Sequence, residues 1–312
     1  MSNLSGRAAA LRRSLGAETA VPVPPGPVPR AAISKAANQE PKAASRALAV
    51  EHREAILQFI ARVGYTTTRQ VAMAVWHKAD KSARMCAGRS LRWLIGRNLL
   101  MRKRDGETAS CEYLHALTRA GVLALNGLDI SLPGGKAHGR DWLRYAHSHR
   151  NACNDVFALL YASEQAKAAQ VAVYSELEIR ASLAPLSKLD YKHTDGSRFS
   201  KIPDLLLVGP GGVGWVEVEN AYRNDRDLNK MLAMMRAEAL SEIPRVSRFI
   251  FYVTAKGANR IGERLRRALS RDPAARPGTI AAADTKILRE MLFVFAIDRD
   301  TLTGKALVAP AK

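Results

Sequence analysis

The residues most able to do chemistry are Pro203-Asp204 and, eleven positions on from Asp204, Trp215-Val216-Glu217-Val218-Glu219-Asn220. Both runs read as strands. Side chains alternate along a strand, so residues 215, 217 and 219 share one face. The run Gly209-Pro210-Gly211-Gly212 folds the two strands against each other. Asp204, Glu217 and Glu219 are therefore expected at one end of a sheet, with Trp215 keeping their face from full exposure. Carboxylates gathered this way repel one another, and a divalent cation that prefers oxygen, Mg²⁺ or Mn²⁺, is the usual compensation. Water on such an ion becomes a nucleophile toward a phosphodiester. The alternative is a polar strand face with no ion.

Other constellations carry less. His147 and His149 with Cys153 have the composition of a metal site, but the simpler reading has His149 packing or capping at a helix start, on the face of Cys153 and Leu160. Met231, Met234 and Met235 read as core filler. The glycines of 209–214 are followed by no Lys-Ser/Thr and no helix, which argues against a phosphate loop. Cys86, Cys111 and Cys153 are widely spaced and odd in number, which suggests neither a disulfide framework nor a zinc knuckle.

These residues need a scaffold. A helical face at Cys153, Val156, Phe157 and Leu160 comes first, then strands near 171–181, 201–208 and 214–221. A helix carrying Leu228, Met231, Leu232 and Met235 follows, then a strand at 249–254, a basic helix at 259–270 and a strand at 291–297. That order predicts an α/β unit with one mixed sheet over residues 141–300. Upstream, Ala55, Ile56, Phe59, Ile60 and Val63 mark a helix over 49–63. A second helix carries Val71, Ala72, Val75 and Trp76, and a third covers 81–97. Strands at 99–104 and 113–117 and a further helix complete residues 49–127. Three helices, a ribbon and a helix is the order of a winged helix-turn-helix, so the fold class is α+β.

On the third helix Ala87, Leu91, Leu94 and Ile95 fall on one side, and Lys81, Arg89 and Arg92 fall away from them. Arg84 lies in the apolar arc and has to snorkel. The basic stripe suits a major groove, where Arg grips guanine bidentately. Arg102, Lys103 and Arg104 on the ribbon suit phosphates. Residues 51–127 hold 13 basic and 6 acidic side chains.

Across 312 residues, 48 Lys and Arg against 29 Asp and Glu give +19, which favours a polyanionic partner. Double-stranded DNA is the first candidate. A membrane fits poorly, because the longest aliphatic and aromatic run is far short of the about 20 residues a spanning helix needs. The text carries no apolar stretch of signal-peptide length, so a cytoplasmic protein is expected. Residues 1–48 include VPVPPGPVP and read as a disordered, basic, Pro- and Ala-rich tail. Residues 128–140 read as a linker and 301–312 as a C-terminal tail.

Pro-Asp on one strand and Glu-x-Glu on the next, inside α-β-β-β-α-β, resembles the PD-(D/E)xK nuclease superfamily. That resemblance implies catalytic roles for Asp204, Glu217 and Glu219, with Glu219 standing where the superfamily usually has Lys. Lys230 on the following helix is the candidate to replace that charge. Glu176 or Glu178 is a candidate further metal ligand beside Asp204 and Glu217. From about residue 49 to 298 the chain is similar to the replication-relaxation family of plasmid and integrative-element proteins. The stretches LTRAGVLAL (117–125), HSHRNACNDVFALL (147–160) and VEVEN (216–220) carry the similarity. It implies DNA binding in plasmid replication, mobilisation or conjugal transfer, with a homodimer and relaxase or replication proteins as further partners. The alternatives are a Mg²⁺-dependent endonuclease targeted by the winged helix and, more distantly, a transcriptional repressor.

Overall fold

The computed structural model describes residues 30–105, 112–127, 139–192, 196–220, 224–254, 260–270 and 278–308. The expected tail up to residue 29, the turn following Asp105, Cys111 and most of the expected linker lie outside them.

The first unit opens with α1 (Arg30–Val63), which begins well upstream of the helix expected from residue 49. A two-residue strand, β1 (Thr66–Thr67), precedes α2 (Thr68–Trp76) and α3 (Lys81–Gly96). The ribbon β2 (Leu100–Arg104) and β3 (Tyr113–Leu117) leads to α4 (Arg119–Asn126). The strand order β1-β3-β2 is antiparallel throughout. The starts of α2, α3 and α4 are each set by a local signal. The Thr67 hydroxyl accepts from the Gln70 N–H while the Gln70 amide oxygen accepts from the Thr67 N–H, a reciprocal capping box. Asp80 caps α3 through the Ala83 N–H at 2.8 Å, and Thr118 caps α4 through the Gly121 N–H at 3.0 Å.

The second unit begins with α5 (Arg140–Arg144), α6 (Ser148–Ala162) and α7 (Glu164–Ala168). Strand β4 (Ala172–Ser175) is shorter than the strand expected over 171–181. Ser175 and Glu178 form a capping box, and the chain turns into α8 (Glu176–Arg180). The stretch 187–200, which lies between the strands expected near 171–181 and 201–208, contains the hairpin strand β5 (Leu189–Lys192) and runs into its partner β6 (Arg198–Lys201). Ile202-Pro203-Asp204 then separates β6 from β7 (Leu205–Gly209), and a turn at Pro210-Gly211 leads to β8 (Gly212–Glu219). Gly212 has φ +93°, and a Cβ there would lie 2.8 Å from the Ser247 hydroxyl, so only glycine fits this turn. After β8 come α9 (Asp225–Leu240), β9 (Arg248–Thr254), α10 (Ile261–Leu269), α11 (Gly278–Lys286), a π-helical turn (Ile287–Met291), β10 (Leu292–Asp298) and β11 (Thr303–Val308). Strand β11 lies within the stretch expected as a C-terminal tail.

The main sheet has the order β11-β10-β9-β8-β7-β4. Strands β8, β9 and β10 are parallel, and the flanking pairs are antiparallel. The sheet is therefore mixed, as the element order predicts. Period-2 alternation splits its core. Trp215, Phe249, Phe251 and Val253 pack with Met231, Met234 and Met235 of α9 and with the β5–β6 hairpin. Val216, Val218, Ile250 and Tyr252 pack on the opposite face with Val156 and Phe157 of α6. Each such fully buried side chain contributes about 1.5–3 kcal/mol.

The two units share a core. Ile56, Leu57 and Ile60 of α1 pack among the helices of the first unit. Phe59 and Val63, on its other side, join Met73 and Ala74 of α2 against α6. A buried polar seam runs along the same junction. Asp155 accepts from Gln70 Nε2 at 2.8 Å, Arg69 at 3.1 Å and Arg299 Nε at 2.6 Å. Asn154 donates to the Tyr65 carbonyl at 2.8 Å, and Arg62 pairs with Glu178 at 2.6 Å. These contacts fix α2, and with it α3, relative to the main sheet. Among the described residues no helix is long and apolar enough to cross a membrane.

Candidate functional site

The first candidate surface is on α3. Ala87, Leu91 and Leu94 are buried and Ile95 half-buried, and Lys81, Arg89 and Arg92 are exposed, as the helical spacing predicts; Ala83 is buried as well. Arg84 is half-buried. It donates to the carbonyls of Ala79 and Asp300, so its guanidinium ties α3 to the β10–β11 turn. Lys81, Arg84, Arg89 and Arg92 line one groove of about 770 Å³ at the start and outer face of α3. On the ribbon, Arg102 and Arg104 are exposed, and Arg102 lies over the Tyr113 ring at 4.7 Å. Lys103 donates to the Leu143 carbonyl at 3.1 Å, near the end of α5. That engagement, a cation at a helix C-terminus, is not visible in the sequence.

The second candidate is a cleft of about 420 Å³ at the C-terminal end of β8, whose lining includes His149, Lys201, Glu219, Asn220 and Lys230. Glu217 and Glu219 share a strand face with Trp215, and all three are buried. They are not a solvated strand face. Glu217 accepts from Trp215 Nε1 at 2.7 Å and pairs with Lys201 Nζ at 2.8 Å. Lys201, which sequence reasoning missed, therefore brings a lysine charge to this carboxylate; its one sequence signal is its place two residues before Pro203. Lys230 reaches the same cleft and sits 3.8 Å from Asp227, one turn before it. Glu176 is held by Arg150 at 2.8 Å and Arg180 at 2.7 Å. Glu178 is spent on its capping box and on Arg62.

Asp204 is positioned from two sides. Its Oδ2 accepts from the Val218 N–H at 2.8 Å, and its Oδ1 lies 3.1 Å from His149 Nε2. Cys153, one helical turn beyond His149, places Sγ 3.6 Å from the same Nε2. Among the described residues, His149, Cys153 and Asp204 are the group of metal-ligating side chains whose donor atoms all lie within 4.8 Å of one another. His147 is the α6 N-cap, with Nδ1 accepting from the Arg150 N–H at 3.3 Å. Capping thus falls to His147 rather than His149.

Electrostatics agree with this geometry. The hydrogen bond with Asp204 raises the His149 pKa above its ordinary value, against the opposing effect of burial. Burial alone would raise Asp204. The His149 bond and charge, the Val218 N–H and the Lys201 charge outweigh it and hold Asp204 below the usual carboxylate range. Burial, then the Asp204 charge, pushes the Cys153 thiol well up.

An oxygen-only cation such as Mg²⁺ or Mn²⁺ fits this arrangement poorly. The donors that converge with Asp204 are a nitrogen and a sulfur, while Glu217 is committed to Lys201 and Trp215 and Glu176 to two arginines. Compared with family models, with curated proteins and with solved structures, the chain finds no match in any of the three.

Proposed function

We propose that the chain is a double-stranded DNA-binding protein whose first unit is a winged helix, with α3 as recognition helix and the β2–β3 ribbon as wing. The observation that carries this reading is the amphipathic split of α3. Its apolar side is buried, its exposed side presents Lys81, Arg89 and Arg92, and Arg102 and Arg104 stand exposed on the adjoining ribbon. A net charge of +19 supplies long-range attraction to a polyanion. The second unit resembles a PD-(D/E)xK scaffold in its β4-β7-β8-β9 arrangement, and the shared core holds it at a fixed angle to α3. Service to a plasmid or integrative element, in replication, mobilisation or transfer, follows from the family resemblance.

Fluorescence anisotropy with duplex DNA over a salt series tests the reading. Binding with log Kd rising linearly with log salt is expected. Absence of duplex binding at low salt would overturn it. Nicking of supercoiled plasmid in the presence of Mg²⁺ or Mn²⁺ would instead favour the endonuclease reading.

A further inference from the structure

We propose that His149, Cys153 and Asp204 hold a single Zn²⁺ ion, with a fourth coordination position opening toward the cleft. The inference rests on the donor set and its distances and is independent of DNA binding.

Three kinds of donor converge here: an imidazole nitrogen, a thiol sulfur and a carboxylate oxygen. This mixture selects a borderline-soft ion over Mg²⁺ or Ca²⁺. The spacing suits tetrahedral zinc. Bonds of about 2.3 Å to sulfur and about 2.05 Å to nitrogen at the tetrahedral angle separate the two ligand atoms by about 3.6 Å. The Cys153 Sγ to His149 Nε2 distance is 3.6 Å. Nitrogen and oxygen on the same ion stand about 3.3 Å apart, and His149 Nε2 to Asp204 Oδ1 is 3.1 Å.

The supporting structure is also present. His149 and Cys153 are four residues apart on α6 and so lie on one face. Asp204 is oriented by the Val218 N–H on its second oxygen, the kind of outer hydrogen bond that fixes a metal-binding carboxylate. Cys153 is buried, whereas the His149 side chain is 45% exposed and lines the cleft. Three protein ligands with the remaining position facing a cavity is the arrangement of zinc sites that admit water or a substrate group. Lys201 and Lys230 line the same cavity together with Glu219 and Asp227, and each lysine stands beside a carboxylate, so water is the ligand the open position would take. On binding, the Cys153 thiol gives up its proton to solvent, the proton on His149 Nε2 leaves as well, so that the imidazole ligates through Nε2 with its remaining proton on Nδ1, and the His149–Asp204 hydrogen bond is replaced by two bonds to the ion.

Co²⁺ titration of the full chain, purified in chelator and then freed of it, tests the site. One Co²⁺ per chain is expected, with a thiolate-to-cobalt charge-transfer band and the visible bands of a tetrahedral ion, all displaced by one equivalent of Zn²⁺. Cys153→Ala should lose the charge-transfer band, and His149→Gln should weaken uptake at least about tenfold. His147→Asn keeps a capping side chain and should leave uptake unchanged. A melting curve on each variant separates ligand loss from misfolding, and Cys153→Ser serves if Cys153→Ala fails to fold. No uptake at micromolar Co²⁺, a thiolate band that survives Cys153 substitution, or equal uptake by His149→Gln would each overturn the proposal. Duplex binding by the same preparations shows separately whether the DNA reading stands.

Discussion

His115 makes the stability of the first unit fall in acid, by an amount that can be worked out. It sits on β3, opposite Thr66 of β1 and Arg102 of β2. The residue is 5% exposed, and among the described residues neither ring nitrogen has a hydrogen-bond partner. Burial, with a smaller contribution from the Arg102 charge, lowers its pKa from 6.5 to about 4. The unfolded chain thus takes up a proton below pH 6.5 that the folded chain refuses until about pH 4. Stability is complete above 6.5, falls through that window and levels off below it. The full window corresponds to about 3 kcal/mol, of which about 2 kcal/mol is lost between pH 7.5 and pH 5. Other groups titrate over the same range, so the quantity to measure is a double difference. Urea unfolding of the parent and of His115→Phe at both pH values isolates it, because phenylalanine keeps the ring and removes the titration. The parent should lose about 2 kcal/mol more than the variant on acidification. Equal losses would show that His115 protonates freely in the folded protein and that the burial argument fails.

Three further outcomes are expected. Asp155→Ala should cost about 3–5 kcal/mol in chemical unfolding, because it removes the buried carboxylate shared by Arg69, Arg299 and Gln70 at the junction between the units and leaves Arg69 its longer contacts to Glu112 and Asp300. Gly121→Ala should cost about 1–3 kcal/mol, since its Cβ would fall 2.1 Å from the Leu99 carbonyl oxygen; a neutral melting curve would show that α4 can shift. Arg102→Ala with Arg104→Ala should weaken duplex binding to every sequence alike and reduce the salt slope by up to about two, checked by anisotropy over a salt series.

Long-period signals were legible in the sequence. The α3 stripe, the β2–β3 ribbon, the strands around Gly209–Gly212 and the buried methionines of α9 all follow from periodicity and turn residues. Glu217 and Glu219 on one face beside Trp215 follow from strand alternation. What was not legible depends on local caps and long-range partners. Ser175 with Glu178 carries a capping-box pattern, but a run of β-formers ahead of it reads as a longer strand. The β5–β6 hairpin hides in polar text because only Leu189 and Tyr191 of β5 point into the core. The partners of the ionisable groups could not be read at all. Nothing near residue 103 announces the Leu143 carbonyl, and nothing in 202–220 announces that Asp204 meets His149 and Cys153 while Glu217 meets Lys201. The apolar union of α1 and α2 with α6 was missed for a related reason: Phe59 and Val63 read as one face with Ala55, Ile56 and Ile60, and nothing in the text of α2 sets Met73 and Ala74 apart until α6 is seen against them.

If α3 reads duplex DNA through Arg89 and Arg92, as proposed, a charge-matched comparison separates base reading from bulk attraction. Arg89→Ala/Arg92→Ala and Arg266→Ala/Arg267→Ala each remove two exposed cations, the second pair from α10 in the other unit. Duplex affinity of both is measured by anisotropy at one salt concentration, using a sequence selected for tight binding to the parent. A bidentate base contact is worth about 1–3 kcal/mol, so the α3 variant should bind at least about tenfold more weakly than the parent. The α10 variant should change little. Equal weakening by the two variants would mean that charge alone attracts DNA and that α3 is not the reading helix.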